Sequence, residues 1–225
     1  MNRVTAIVPV RAGSVRIKDK NIQPFNGTTL LEHKLEMLKK VPEITRIVVS
    51  SDSEYMLSLA EKHGVDTHRR PIEFCDEKTR TFGDTVELIC SNVEGDHILW
   101  APCTSPLIYP DLFSKGINLY LDNLNNGFDS LISVELFKHF MWDDEKPLNY
   151  ELGDKQVPSQ QLPNYYVVTN GILISPREST VKWKYTYGRN PYKFMIDKFA
   201  TVDIDDEVDL KIAETLLEMN KEKFK

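Results

Sequence analysis

Two stretches at opposite ends of this chain hold side chains able to act on a phosphoanhydride. The first, VPVRAGSVRIKDKN (Val8 to Asn21), sets Arg11, Arg16, Lys18 and Lys20 against one acid, Asp19. That is a local charge of +3 in a protein whose net charge is −6. Gly13 lets backbone N–H groups come close to a ligand, Ser14 offers a hydroxyl, and Arg11 offers a two-pronged donor fork. A nucleoside triphosphate carries several negative charges that such a loop would balance, although the same residues also suit a solvated basic loop. The second stretch, TVDIDDEVDL (Thr201 to Leu210), sets Asp203 and Asp205 two residues apart on a strand-like segment, so that both carboxylates share a face. Twin carboxylates repel unless a cation lies between them. Mg2+ is the usual solution, with substrate phosphates completing its shell. Asp206, Glu207 and Asp209 suit a helix start, where acids cap and complement the dipole. Together the two stretches suggest metal-assisted chemistry on a phosphoanhydride.

The elements that must position them read as an alternation. Val4 to Val10 is a short β-branched run, as in a strand buried on both faces of a parallel sheet. Thr28 to Lys40 spaces Leu30, Leu31, Leu35 and Leu38 as a helix does, and Arg46 to Ser50 reads as the next strand. A helix from a Ser53 cap to a Gly64 stop, the helical GDTVELICSNV, the strand His97 to Ala101, a proline-started helix and the strand Ser130 to Leu136 follow. Such alternation predicts a mainly parallel sheet with helices on both faces, and ligands at the carboxyl ends of its strands near the topological switch point. After Leu136 the period is lost, and residues 137–165 read as an excursion with a function of its own. YYVVTNGILIS and YKFMID return to strand composition, the aromatics of YYVV being expected in core or interface. KEKFK reads as a frayed, solvated helix end. One domain over 1–225 with an insertion is the economical reading.

Composition narrows the function classes. With 41% hydrophobic and 28% charged residues the chain is an ordinary globular protein. An acidic balance argues against a nucleic-acid binder held by a broad basic face. The apolar runs are shorter than the ~18 residues of a membrane span. Cys75, Cys90 and Cys103 form no C-x-x-C pair, which suits a reduced cytoplasm. The opening loop is neither a dinucleotide fingerprint, having Gly13 alone, nor a P-loop, having no G-K-[ST]. His33, His63, His68 and His97 show no metal spacing and are expected as surface or satisfied core groups, and Cys103 as a packed side chain.

Beyond spacing, IVPVRAGSVRIKDKNIQPFNG, RRP at Arg69 to Pro71, TSPL at Thr104 to Leu107, PSQQLPNYYVVTNGILI and DIDDEVDL occur in the order found in acylneuraminate (nonulosonic acid) cytidylyltransferases, which the chain resembles. The resemblance implies a Rossmann-like three-layer α/β/α sandwich, a Mg2+ requirement and a reaction in which CTP and a nonulosonic acid give a CMP-sugar and pyrophosphate. It also implies a homodimer contacted through the protruding insertion. By position it implies that Arg11 and Lys20 hold the triphosphate with Ala12, Gly13 and Ser14, that Asn21 and Arg70 hold the nucleotide, and that the loop Thr79, Arg80, Thr81 closes over the base. Thr104, Ser105, Gln160, Gln161, Asn170 and Gly171 would face the sugar, with Gly171 letting the backbone approach it. Asp203 and Asp205 would hold the metal.

Departures fall on the sugar side. Ser159 stands where relatives carry arginine, Ile174 where they carry tyrosine, and Pro102 where they carry an amide. A sialic, legionaminic or pseudaminic-type acid is therefore expected, the more apolar acids suiting a less polar pocket. Lys138, His139, Lys182, Lys184 and Arg189 are candidates for the missing charge. The alternatives are activation of 3-deoxy-octulosonate with CTP, and a non-catalytic nucleotide-binding domain of the same fold.

Overall fold

The computed structural model describes residues 3–14, 16–76 and 78–224. The opening run forms β1 (Val4–Pro9). Val4, Ala6 and Val8 point into one core and Ile7 into the other, which is why the run is continuous rather than alternating. A hairpin of β2 (Pro24–Phe25) and β3 (Thr28–Thr29) leads into α1 (Leu30–Lys39). That helix starts at a reciprocal cap, Thr29 accepting from the Glu32 N–H while Glu32 accepts from the Thr29 N–H. Then come β4 (Ile44–Ser51), α2 (Glu54–Lys62) with its Ser53 cap, β5 (Asp66–Arg69), α3 (Phe82–Ser91) and β6 (His97–Trp100). They are followed by α4 (Pro110–Leu124), β7 (Ser130–Phe137), β8 (Tyr165–Pro176), α5 (Arg177–Trp183), β9 (Pro191–Met195) and α6 (Glu207–Met219).

Seven strands form one sheet in the order β5-β4-β1-β6-β8-β7-β9. Its pairings are parallel except those of β8, which runs antiparallel to β6 and β7. Helices α1, α2, α4 and α6 cover one face, and α3 and α5 the other. The expected α/β/α sandwich is what forms. β1 sits between β4 and β6, so successive connections leave it in opposite directions. A crevice opens at the carboxyl ends of the strands there.

Three expectations need correction. The DIDD segment is not a strand: residues 202–205 are an extended loop leading into α6, which Asp206 and Asp209 cap reciprocally. Ile204 anchors the loop, its side chain fully buried and its N–H donating to the Thr104 carbonyl at 2.7 Å. Of the core-or-interface reading of YYVV the core half does not hold for Tyr165, Tyr166 and Val167, which lie exposed at the start of β8 and leave the interface reading open. The KEKF tail is not frayed: Phe224 is buried against His33 and Tyr109, and its carbonyl accepts from Lys40.

His33, His63, His68 and His97 are satisfied structural groups, as expected. His33 is buried, with Nε2 3.0 Å from the Pro106 carbonyl and Nδ1 3.3 Å from the Asn26 amide nitrogen. A carbonyl only accepts, so Nε2 carries the proton and Nδ1 accepts. Burial pushes the His33 pKa down to about 4, against the opposing pull of the Pro106 bond. Between pH ~6.5 and that value the unfolded chain binds a proton that the folded chain refuses. Stability from this group is therefore complete above pH ~6.5 and falls as pH drops toward 4, by roughly 3 kcal/mol at most. Thermal melts between pH 7 and 4.5 are expected to show this decline, and His33→Gln is expected to flatten it.

Candidate functional site

The crevice is a cleft of about 290 Å³ whose walls include Pro9 at the end of β1 with Val10 and Arg11 following it, Arg70 after β5, and Trp100 at the end of β6 with Thr104 in the loop beyond. Five cations line it, namely Arg11, Arg16, Lys20, Arg70 and Arg80, and none of its described lining residues is acidic. In an acidic protein this is a local field suited to a polyanion. Arg70 is buried (5% exposed) and spends its donors on the fold. One guanidinium nitrogen donates to the Val10 carbonyl at 2.6 Å, and Nε lies 3.0 Å from Cys75 Sγ. It thereby fixes the strand end from which the basic turn departs. Arg11 donates to the Cys75 carbonyl and accepts, at its own carbonyl, the Asn21 amide at 3.2 Å. Arg80 lies over the Phe74 ring, 5.1 Å from its centroid.

The turn itself is shaped by Gly13 at φ 69°, in the left-handed region. No atom lies within 4 Å of a Cβ built there, so conformation rather than space requires the glycine. The neighbouring Ala12 N–H is already engaged, donating to Asp52 Oδ1 at 3.0 Å from the end of β4.

The two distant stretches meet. Lys20 Nζ donates to the Ile204 carbonyl at 2.7 Å and lies 3.6 Å from Asp205 Oδ1, while Arg16 lies 2.8 Å from that same oxygen. Asp205 is half exposed, whereas Asp203 has a buried Oδ1 without a hydrogen-bond partner. A buried carboxylate oxygen with nothing to accept from costs free energy unless a ligand claims it. Among the described residues no group of three or more His, Cys, Asp or Glu could hold a metal ion. By chemistry the two aspartates are hard oxygen donors, of the kind a divalent cation takes when phosphate and water complete its shell.

Thr104 and Ser105 lie at the cleft's far side. The Thr104 carbonyl accepts from Ile204, and Ser105 is buried, its Oγ 3.5 Å from the Thr169 carbonyl. There the β7–β8 register shifts, and Asn170 adopts φ 56° at the irregularity. A Cβ on Gly171 would come within 2.7 Å of Ile108 Cδ1, so this glycine makes room for Ile108. Gln160 and Gln161 lie exposed in a short 3-10 turn (Ser159–Gln161) of the excursion and do not line the cleft, and Lys138 donates to the Gln160 carbonyl at 2.6 Å. Thr81 caps α3 and Thr79 closes a turn onto Asp76 and Glu73, so of that loop Arg80 alone reaches the lining. Ile174 is fully buried between β6 and β7, which removes it from any pocket. Lys184 is held by Glu87 at 2.7 Å.

The sequence reading omitted Asp52, Arg16's pairing with Asp205, and the aromatic rim in which Phe82 meets Trp100 edge-on at 5.9 Å. Cys75, another lining residue, has its pKa raised by burial against the pull of Arg70. Cys103 is fully packed with its pKa pushed up to about 12 by burial, as a structural thiol should be.

The chain is similar to known proteins over nearly its whole length. An N-acylneuraminate cytidylyltransferase of Escherichia coli is 23% identical over 223 residues, covering 95% of this chain and 52% of the relative. A pseudaminic acid cytidylyltransferase of Campylobacter jejuni is 24% identical over 224 residues, covering 96% of this chain and 97% of the relative. The chain spans about half the length of the first curated relatives it matches. In fold it is similar to a CMP:2-keto-3-deoxy-manno-octonic acid synthetase solved with CTP, at TM-score 0.68 and 12% identity over 97% of this chain and 99% of that one. No described helix is long and apolar enough to cross a membrane. A model of the cytidylyltransferase family matches residues 5–146, well over half of the chain, and the chain belongs to that family.

Proposed function

We propose that this protein transfers a cytidylyl group from CTP to a nonulosonic acid, giving the CMP-sugar and pyrophosphate. The observation that carries the reading is the meeting of Lys20, a lining residue of the cleft, with Ile204 and Asp205, which brings an acidic loop against the cationic turn. The acceptor's anomeric hydroxyl oxygen attacks the α-phosphorus, the bond to the pyrophosphate oxygen breaks, and the hydroxyl proton passes to solvent. Such a transfer asks for positioning and charge stabilisation rather than covalent help. Arg11 and Lys20 offset the charge gathering on the departing pyrophosphate, with Ser14 and the Gly13 turn cradling it. Asn21 and Arg70 act by holding the turn in register, and Arg80 on Phe74 flanks the nucleotide. Asp203 and Asp205 would hold a divalent cation, Mg2+ by its preference for hard oxygen, which when bound polarises the attacked phosphate. Arg16 gives up its contact with Asp205 as the phosphates arrive.

Thr104, Ser105 and Asn170 form the acceptor side, with Gln160 and Gln161 delivered by the excursion. Lys138, beside Gln160, is the cation that stands in for the arginine missing at Ser159. Relatives matched by sequence include ones named for N-acylneuraminate and pseudaminic acid, which favours nine-carbon acids over 3-deoxy-octulosonate. Pyrophosphate release is expected from CTP only when a nonulosonic acid is present. CTP binding without release for any member of a sialic, legionaminic and pseudaminic panel would instead support a binding domain.

A second copy of this chain is proposed to cover the excursion. Phe140, Trp142, Leu148, Leu152, Tyr165 and Val167 are exposed on it and on the adjoining end of β8, an apolar surface that a lone protein seldom leaves uncovered. Light scattering is expected to give twice the chain mass, and Trp142→Glu to give the monomer. A monomeric native protein would remove this interface.

A further inference from the structure

Ahead of Gly13 the backbone of the basic turn is tied down group by group. The Val10 N–H donates to the Ser50 carbonyl at 3.0 Å, and the Val10 carbonyl accepts from Arg70 at 2.6 Å. The Arg11 carbonyl accepts from Asn21 at 3.2 Å. Ala12 differs, because its N–H donates to a carboxylate, Asp52 Oδ1, at 3.0 Å. Gly13 and Ser14 make no hydrogen bond among the described residues, so the unclaimed N–H groups of the turn begin directly after that contact.

Asp52 offers a fixed acceptor because both of its neighbours are anchored. It joins β4 to α2. Ser51 before it is fully buried, its carbonyl accepting from the Arg70 N–H at 2.8 Å and its Oγ from the Ser53 N–H at 3.0 Å. Ser53 after it caps α2. Asp52 itself is half-buried, does not line the cleft, and makes no ion pair among the described residues. A carboxylate close to a phosphate seat repels the ligand. Its contribution to such a seat is therefore an oxygen on a rigid support rather than a charge.

We infer that Asp52 is a positioning residue for the triphosphate: from behind the turn it holds the Ala12 N–H, and so sets the backbone that carries Gly13 and Ser14 with their free N–H groups. The inference rests on the proposed seating of the CTP triphosphate on this turn, and not on the transfer step.

The test is calorimetric titration of the protein with CTP and with inorganic tripolyphosphate, alongside steady-state pyrophosphate release. Asp52→Ala leaves the Ala12 N–H without its acceptor, and both dissociation constants are expected to rise about 10-fold. The same loss should fall on KM for CTP rather than on kcat. Asp52→Asn keeps an oxygen for that N–H without the charge, and both constants should stay within about threefold of the parent. Asp52→Ser, polar but one bond too short to reach Ala12, should behave as the alanine variant and serves if that variant does not fold. Ser53→Ala removes the neighbouring cap, and should lower Tm while leaving both constants within about twofold. Binding by Asp52→Asn as weak as by Asp52→Ala would mean that the charge acts. Equal weakening in Ser53→Ala would mean a general loosening of α2. Either result would overturn the inference, as would parent-like binding by Asp52→Ala. A parent protein that binds CTP but releases no pyrophosphate with any acid would remove the proposed reaction, and the titrations would still decide the role of Asp52. One that binds neither ligand would overturn the inference as well.

Discussion

Lys20→Met is expected to lower kcat/KM for CTP by about 1000-fold. Two losses combine. A cation placed against a departing pyrophosphate is worth about 100- to 1000-fold by itself. In addition, the Ile204 carbonyl loses its donor at 2.7 Å, and an unpaired buried acceptor costs about 1–3 kcal/mol. That second loss loosens the acidic loop, so the variant should fall in kcat as well as in CTP affinity. Lys18 supplies the control, because it belongs to the same basic stretch but is exposed and does not line the cleft. Lys18→Met should stay within about twofold of the parent in steady-state pyrophosphate release. Equal losses in both variants would mean that the stretch acts through its net charge rather than through Lys20.

Asp205→Asn is expected to cut kcat at least ~100-fold without weakening CTP binding, and Arg11→Ala to cost as much while weakening it. The asymmetry follows from electrostatics. Asp205 is anionic and already meets Arg16 at 2.8 Å and Lys20 at 3.6 Å, so neutralising it frees two cations for the triphosphate. What the variant loses is the anionic carboxylate proposed to hold the divalent cation. Arg11 by contrast is proposed to meet the phosphates directly from the turn. Steady-state kinetics paired with calorimetric CTP titration separates the two, and a shared loss of affinity would take Asp205 out of the role given to it.

The sequence was legible where local chemistry decides the outcome. The β-branched run from Val4 announced a strand covered on both faces, and Ser53, the proline of α4 and Asp206 marked helix starts that the structure uses. The basic turn stood out because +3 in so few residues is unusual in a chain of net charge −6. Less legible was whatever depends on a distant partner. The alternation in DIDD signalled two carboxylates on one side, but Ile204 is fixed by the Thr104 carbonyl rather than by a ladder, and only one oxygen of Asp203 is buried while Asp205 is half exposed. Ile174 fell in a motif that suggested a pocket, yet β8 runs antiparallel between β6 and β7 and buries it completely. Gly171 was read as leaving room for a sugar, and the room is taken by Ile108.

A crystal structure with CTP and Mg2+ bound is the most direct measurement. It should show the triphosphate within hydrogen-bond reach of Arg11 and Lys20, with a cation bridging it to Asp203 and Asp205 at about 2.0–2.1 Å. Nucleotide bound with its phosphates turned away from the turn, or a cation held elsewhere than on those two aspartates, would contradict the account.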